Sequence, residues 1–213
     1  MNKNWNSKEF KIGVLGGGQL GRMLIQEAIN LNLHIHIMDP DQNAPCASIA
    51  QTFTCASLTD FDAVIEFGKD KNLITVEIEN VNIEALEALE KNGVQVYPQP
   101  HVLKIIKDKG TQKQFYETND IPTSPFELIQ SANELTKASI KFPVVQKLRT
   151  GGYDGRGVQI LKDDQSSFDA PSIIENLIDF EKEISIIVAR NDKGQVSTFP
   201  SVECEFNPEV NLV

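Results

Sequence analysis

Gln146-Lys147-Leu148-Arg149-Thr150-Gly151-Gly152-Tyr153-Asp154-Gly155-Arg156-Gly157 runs from a strand directly into a loop with four glycines in seven positions, 151–157. Flexible linkers rarely carry the Tyr, Asp and Arg found within it. Glycine lets backbone N–H groups approach a ligand closely, and successive N–H groups form a concavity suited to phosphate oxygens. Period-2 alternation puts Val145, Lys147 and Arg149 on one strand face, so Lys147 and Arg156 add charge on either side of the loop. The segment reads as a phosphate lid hung from a strand that carries a phosphate-contacting lysine.

Outward from the lid, short apolar runs at 126–129, 144–148, 158–161 and 172–175 and a helix at 133–138 read as a small α+β unit. In Ser172-Ile173-Ile174-Glu175-Asn176-Leu177-Ile178 an acid ends an apolar strand, where a buried carboxylate calls for a partner or a ligand. Glu183 opens a further strand, with Ser185, Ile187 and Ala189 on its face. The segments 183–190 and 195–203 read as a hairpin around Asn191-Asp192-Lys193-Gly194. A longer helical region at 102–119, broken near Gly110, and the stiff connection Ile121-Pro122-Thr123-Ser124-Pro125 precede the unit.

The first hundred residues alternate differently. Strands are expected at 11–15, 33–38, 52–54, 73–76 and 94–96, with helices at 19–31, 60–67 and 83–91 between them. That order predicts a parallel sheet with helices on both faces. Leu20, Met23, Leu24, Glu27 and Leu31 fall at near-helical spacing and are expected to line the first helix's inner face. Gly93 is expected to end the helix at 83–91 as its C′ residue.

The turn Gly16-Gly17-Gly18-Gln19-Leu20-Gly21 matches G-x-G-x-x-G between a strand and a helix, and Asp39 stands where a ribose-binding acid belongs in a dinucleotide site. A helix N-terminus accepts any anion, so the turn alone fits a dinucleotide, a single phosphate or a structural tight turn.

Over 213 residues, 40% hydrophobic and 23% charged, the composition is that of a globular chain large enough for more than one domain. A formal charge of −10 argues against nucleic acid or an anionic membrane as partner. Cys46, Cys55 and Cys204 form neither a disulfide framework nor a C-x-x-C pair, and His34 and His36 lack a third metal ligand nearby. Without an apolar leader or a run long enough to span a bilayer, a cytoplasmic chain is expected.

Taken in order, Gly16–Met23 (GGGQLGRM), Thr75–Val81 (TVEIENV), Thr111-Gln112-Lys113, Ile121-Pro122-Thr123, Gly151–Gly157 (GGYDGRG) and the pair Glu175 and Glu183 resemble the N5-carboxyaminoimidazole ribonucleotide synthetases of the ATP-grasp superfamily. The resemblance implies an α/β chain: a Rossmann-like pre-ATP-grasp domain (1–98), a helical connection with the small lid subdomain (99–178) and the start of the large subdomain (179–213), together an ATP-grasp fold of α+β type. It implies ATP with Mg2+ or Mn2+, bicarbonate and 5-aminoimidazole ribonucleotide as small-molecule partners, and a homodimer. On the ATP side it carries Lys104, Lys147, the lid residues Gly152, Tyr153, Asp154, Gly155, Arg156, Gly157 and Val158, the adenine hinge Glu175, Asn176, Leu177 and Ile178, and Glu183 on the ribose hydroxyls. Lys147, Tyr153, Asp154 and Arg156 are the implied catalytic group. Gly18, Gln19, Leu20 and Glu77, with Tyr153 and Asp154, would line the aminoimidazole ribonucleotide side.

Two departures accompany the likeness. Phe206 stands where related sequences often have His, and the family's metal-binding carboxylates have no counterpart in these residues, so the chain is expected to be cut short and catalytically incomplete. The rivals are a sister enzyme such as formate-dependent glycinamide ribonucleotide transformylase, an NAD(P)-dependent dehydrogenase reading GGGQLG as its cofactor loop, and a non-catalytic nucleotide-binding remnant. The first typically has a serine-rich lid, and the second leaves Lys147 and the lid unexplained.

Overall fold

A computed structural model describes residues 4–135, 141–152, 156–163 and 166–205. Tyr153, Asp154, Gly155 and Phe206, and residues 136–138 of the helix expected at 133–138, lie outside the described residues.

β1 (Lys11–Leu15), β2 (His34–Asp39), β3 (Thr52–Cys55), β4 (Leu73–Val76) and β5 (Gln95–Val96) form a parallel sheet in the order β3-β2-β1-β4-β5. Successive β1 residues point to opposite faces. Leu15 joins Met38, Ile74 and Val96 beneath α2 (Phe61–Gly68) and α3 (Ile83–Lys91), while Val14 joins Ile35 and Ile37 beneath α1 (Gln19–Asn30). Asp60 and Asn82 accept the N–H groups of Ala63 and Ala85 and so cap α2 and α3. Gly93 takes φ +89° and donates to Glu90 O while Val94 donates to Leu89 O, the paired bonds of a Schellman end. α4 (Pro100–Lys107) buries Leu103 in the core under α2 and α3, so this packing continues past residue 98.

α1 corrects an expectation. Leu20, Met23, Leu24 and Leu31 are exposed, and the buried positions are Gly21, Ile25 and Ala28. Gly21 is small because the loops after β1 and β2 press on the start of α1: a Cβ there would meet Cys46 Sγ at 3.1 Å and Gly16 O at 3.3 Å.

The helical region breaks at Asp108, whose extended backbone separates α4 from α5 (Lys109–Thr118). Beyond it, β6 (Phe126–Ile129), β7 (Val144–Leu148), β8 (Val158–Leu161) and β9 (Ser172–Asn176) form an antiparallel sheet in the order β6-β9-β7-β8. One face packs Val144, Leu161 and Ile174 with Leu135 of α6 (Ala132–Leu135). On that face Gln146 is fully buried and satisfied: it donates to Phe168 O and Ser172 Oγ and accepts from Gln159 Nε2 and Phe168 N. The opposite face carries Lys147 and Glu175 towards α5.

The two long strands expected over 183–203 are each divided. β10 (Glu183–Ser185) pairs with β13 (Val202–Cys204), and β11 (Val188–Arg190) with β12 (Val196–Thr198), all antiparallel. Glu183, Ser185 and Ala189 lie along exposed strands.

Candidate nucleotide and lid site

β7 and β9 pair antiparallel with Val145 opposite Glu175, which puts Lys147 on the diagonal from Glu175 on the same face. Lys147 Nζ lies 2.6 Å from Glu175 Oε2, and Lys113 Nζ, arriving from α5, lies 2.8 Å from Oε1. Glu175 is 5% exposed. Burial works against its charge, but hydrogen bonds from Lys113 and Lys147 outweigh it and hold the carboxyl below the ordinary glutamate value. A cavity of about 420 Å³ opens beside this triad, lined also by Lys109, Tyr116 and Ile178. Two ammonium groups around one carboxylate leave an excess positive charge at its wall, suited to phosphate oxygens.

The root of the lid is tied to the start of α5. Arg149 donates from Nε to Asp108 Oδ1 at 2.9 Å and from Nη2 to Oδ2 at 2.5 Å, a bidentate pair. Asp108 Oδ1 also accepts from Gly110 N and Thr111 N and caps α5. Burial opposes ionisation of Asp108, and Arg149 together with these N–H groups still lowers its pKa. Gly110 has no Cβ because one would stand 2.6 Å from Arg149 Nε. Lys109 clasps the same place from both ends, its N–H donating to Arg149 O at 2.9 Å and its Nζ to Gly152 O at 3.0 Å. Leu148 N donates to Gly157 O and closes the loop's base. Gly157, at φ +71°, passes so near Gly152 that a Cβ would lie 3.2 Å from its Cα. Arg156 and Val158 are exposed.

Beyond β9, Asn176 is bound by the 121–125 connection: its N–H donates to Pro125 O and its carbonyl accepts from Ser124 Oγ. Leu177 and Ile178 follow with exposed side chains and no backbone hydrogen bond among the described residues. Of the four hinge residues, Leu177 and Ile178 therefore have backbone groups open to a ligand, while both oxygens of Glu175 face lysines.

The lid root also faces the first sheet. A cavity of about 630 Å³ is lined by Glu79 and Asn80 beyond β4, Lys107 and Lys109, and Gly151 and Gly152. At the sheet's C-terminal edge, Gly17 N donates to Asp39 Oδ2 at 2.7 Å, and Asp39 Oδ1 accepts from Asp41 N. Asp39 thus holds the glycine turn and its own following loop. Glu77 leans over the turn, its oxygens 2.7 Å from where Cβ atoms on Gly16 and Gly18 would be. Gln19 and Leu20 are exposed at the start of α1.

Of the residues expected from sequence, the fold brings together Lys147, Glu175 and Ile178 around one cavity, with Gly152 at its edge through Lys109. Lys104 lies on α4 against Glu87 at 2.6 Å, half exposed, and lines neither cavity. Lys109 and Lys113 line the smaller cavity instead. Glu183 does not line the cavity either. Lys109, Lys113 and the Asp108–Arg149 pair had no assigned role in the sequence; the available signal was a lysine pair four apart, which shares one helix face. A cavity of about 1040 Å³ between Tyr97 and Arg190 has no comparable cluster of cations. Among the described residues no group of three or more His, Cys, Asp or Glu stands together to hold a metal ion, and no helix is long and apolar enough to cross a membrane.

Residues 10–107 match the ribonucleotide synthetase preATP-grasp domain and residues 114–209 the ATP-grasp domain. N5-carboxyaminoimidazole ribonucleotide synthase of Synechococcus elongatus is 36% identical over 203 residues, 90% of this chain and 51% of its own length, and that of Bacillus subtilis 31% identical over 202 residues, 90% and 53%. Among solved structures, the Thermotoga maritima synthetase superposes with a TM-score of 0.82 at 32% identity over 91% of this chain and 53% of that one. The Staphylococcus aureus synthetase complexed with ADP gives 0.87 at 26%, covering 97% and 57%. The Aspergillus clavatus synthase in complex with ADP and 5-aminoimidazole ribonucleotide gives 0.82 at 29%, covering 96% and 55%. The chain spans about half the length of the relatives it matches. With both domains matched in order and the relatives above all N5-carboxyaminoimidazole ribonucleotide synthases, the chain belongs to the N5-carboxyaminoimidazole ribonucleotide synthase family of ATP-grasp proteins.

Proposed function

We propose that the chain supplies the nucleotide cradle, the lid and the ribonucleotide-facing sheet edge of an ATP-dependent ligase that carboxylates 5-aminoimidazole ribonucleotide. The observation that carries this is the Lys113–Glu175–Lys147 triad opening on a cavity beside a glycine loop whose root also faces the edge of the first sheet. Adenine would lie along the backbone of Leu177 and Ile178, and the phosphates against Lys147 and Lys109 under the lid. A bicarbonate oxygen attacks the γ-phosphorus, the bond to the bridging oxygen breaks, and ADP leaves. The carboxyphosphate formed releases phosphate as its carboxyl group, as CO2, joins the exocyclic nitrogen of the ribonucleotide, which loses a proton. Such chemistry needs positioning and charge neutralisation, which lysines and N–H groups provide, and a lid that keeps water from the carboxyphosphate.

Glu77, leaning over the turn at Gly16–Gly18, suits a hydroxyl or amine of the ribonucleotide better than its phosphate, because two anions there would repel. Mg2+ is expected with ATP, but the described acids do not converge on a metal site, so no step is assigned to it. The domain limits 1–98, 99–178 and 179–213, a homodimer and a cytoplasmic setting belong to the same reading. The dehydrogenase alternative gives the Lys113–Glu175–Lys147 triad and the lid no role.

The test is ADP release by the whole protein with 5-aminoimidazole ribonucleotide and bicarbonate present or each omitted. Release that needs both supports the reading. Release indifferent to the ribonucleotide, or turnover of NAD(P)H in its place, removes it.

A further inference from the structure

Lys113 and Lys147 share one carboxylate but differ in what else they touch. Lys113 is 9% exposed, and three acceptors surround its ammonium: Thr123 Oγ1 at 2.5 Å, Ser124 O at 3.3 Å and Glu175 Oε1 at 2.8 Å. An ammonium has three N–H donors, so the capacity of Lys113 is committed to protein. It also lies 5.5 Å over the Phe126 ring. Lys147 has a side chain one-third exposed, and Glu175 Oε2 is its partner among the described residues. Two of its donors are left for a ligand in the cavity.

We propose that Lys113 is a positioning residue for the nucleotide phosphates, acting through Glu175 on Lys147. This rests on the nucleotide-binding reading above. A carboxylate with one cation on each oxygen has its plane pinned, and Lys147 then has a fixed anchor from which its remaining protons point into the cavity. Lysine needs such an anchor, because its four-carbon stem is flexible and its charge has no preferred direction. Without Lys113, the buried carboxylate would keep a single partner and draw Lys147 across both oxygens, away from the phosphates. The connection at 121–125 enters the same linkage, since it binds Lys113 through Thr123 and Ser124 and Asn176 through Ser124 and Pro125. The phosphate lysine and the adenine hinge are thereby set by one connection.

The test compares ADP binding by calorimetry with competition by adenosine, which lacks phosphates, in the whole protein. In Lys113→Met the ADP dissociation constant should rise about tenfold to a hundredfold, the range in which outer partners of metal ligands act. Adenosine should compete as it does in the wild type. The loss should persist in roughly 0.5 M KCl, which screens a long-range field but not a misplaced contact. Lys113→Arg should recover most of the affinity. Glu175→Gln, which keeps the shape and loses the charge, should show the same phosphate-selective loss and gives a second route if Lys113→Met folds poorly. Equal weakening of adenosine and ADP, or unchanged ADP affinity in Glu175→Gln, would overturn the proposal. A wild-type protein that binds no ADP would instead sink the nucleotide reading itself.

Discussion

Lysines 104, 109, 113 and 147 carry one chemistry to four different ends, set by what lies within reach. Lys104 meets Glu87 on the outer side of α4, Lys109 holds the lid root, Lys113 is locked in protein contacts, and Lys147 is left facing the cavity. For Lys147→Ala, Glu175 keeps Lys113 as a partner, so the fold should survive while ATP-dependent turnover falls by at least about a hundredfold, as when a charge-stabilising donor is removed. Unchanged kinetics with an unchanged melting temperature would take Lys147 out of the site. Lys104→Ala should leave the urea midpoint unchanged, because water screens an exposed ion pair, and a raised KM for ATP would bring it back into the site. Lys147 could be read from sequence because a glycine loop follows it at once. Lys109 and Lys113 could not, because two lysines four apart on a polar helix look the same whether they face water or a buried acid. Only the fold shows that Lys113 meets Glu175 while Lys109 meets the Gly152 carbonyl.

Strands were legible to within a residue or two wherever an apolar run ended at a turn, as at Val144–Leu148 and Leu73–Val76. The first helix was legible in extent but not in orientation. Counting large apolar side chains selects Leu20, Met23 and Leu24, whereas the fold buries Gly21 and Ala28, whose small size permits close packing. The break near Gly110 was legible, but the part played by Asp108 was not, since its carboxylate closes a cap and a distant ion pair together. Asp108→Ala should therefore cost more than an ordinary cap, about 2 kcal/mol or more, read as a shift of the urea midpoint at constant m-value. It should also raise the KM for ATP by loosening the lid root. A purely local cap would lower stability and leave KM alone. Gly157→Ala tests the loop's base in another way, because alanine is strained at φ +71° and its Cβ would lie 3.0 Å from Leu148 Cδ1. A cost of about 1–2 kcal/mol is expected from the left-handed backbone alone.

Across the whole molecule, the histidine and carboxylates that titrate on the acid side pull stability in one direction with pH. His36 lies in the first sheet, its Nδ1 2.7 Å from Thr52 Oγ1, and burial first, then Lys71 and Lys11 and neighbouring His34, push its pKa below the ordinary 6.5, with Asp70 opposing them. A histidine so lowered is held neutral in the fold, so the unfolded chain binds the extra proton first as pH falls, and stability declines from about that value downward. The carboxylates follow with the same sign. Asp108 and Glu175 lie below their ordinary values, and Asp70, between Lys11 and Lys71, is lowered to about 2 by hydrogen bonds from both lysines. Their contributions are complete above the ordinary carboxylate range and are lost as pH falls through the folded values, that of Asp70 last. Asp70 is half exposed, so water screens its pairs and its share of the loss is small. Urea midpoints measured against pH should thus fall in two limbs, the upper beginning near the histidine value and the lower within the carboxylate range. His36→Asn should flatten the upper limb alone, and Glu175→Gln should flatten part of the lower. Because Glu175 also anchors Lys147, ADP affinity should drop along that lower limb before the chain unfolds. ADP affinity that stays constant until unfolding would separate the triad's charge from nucleotide binding.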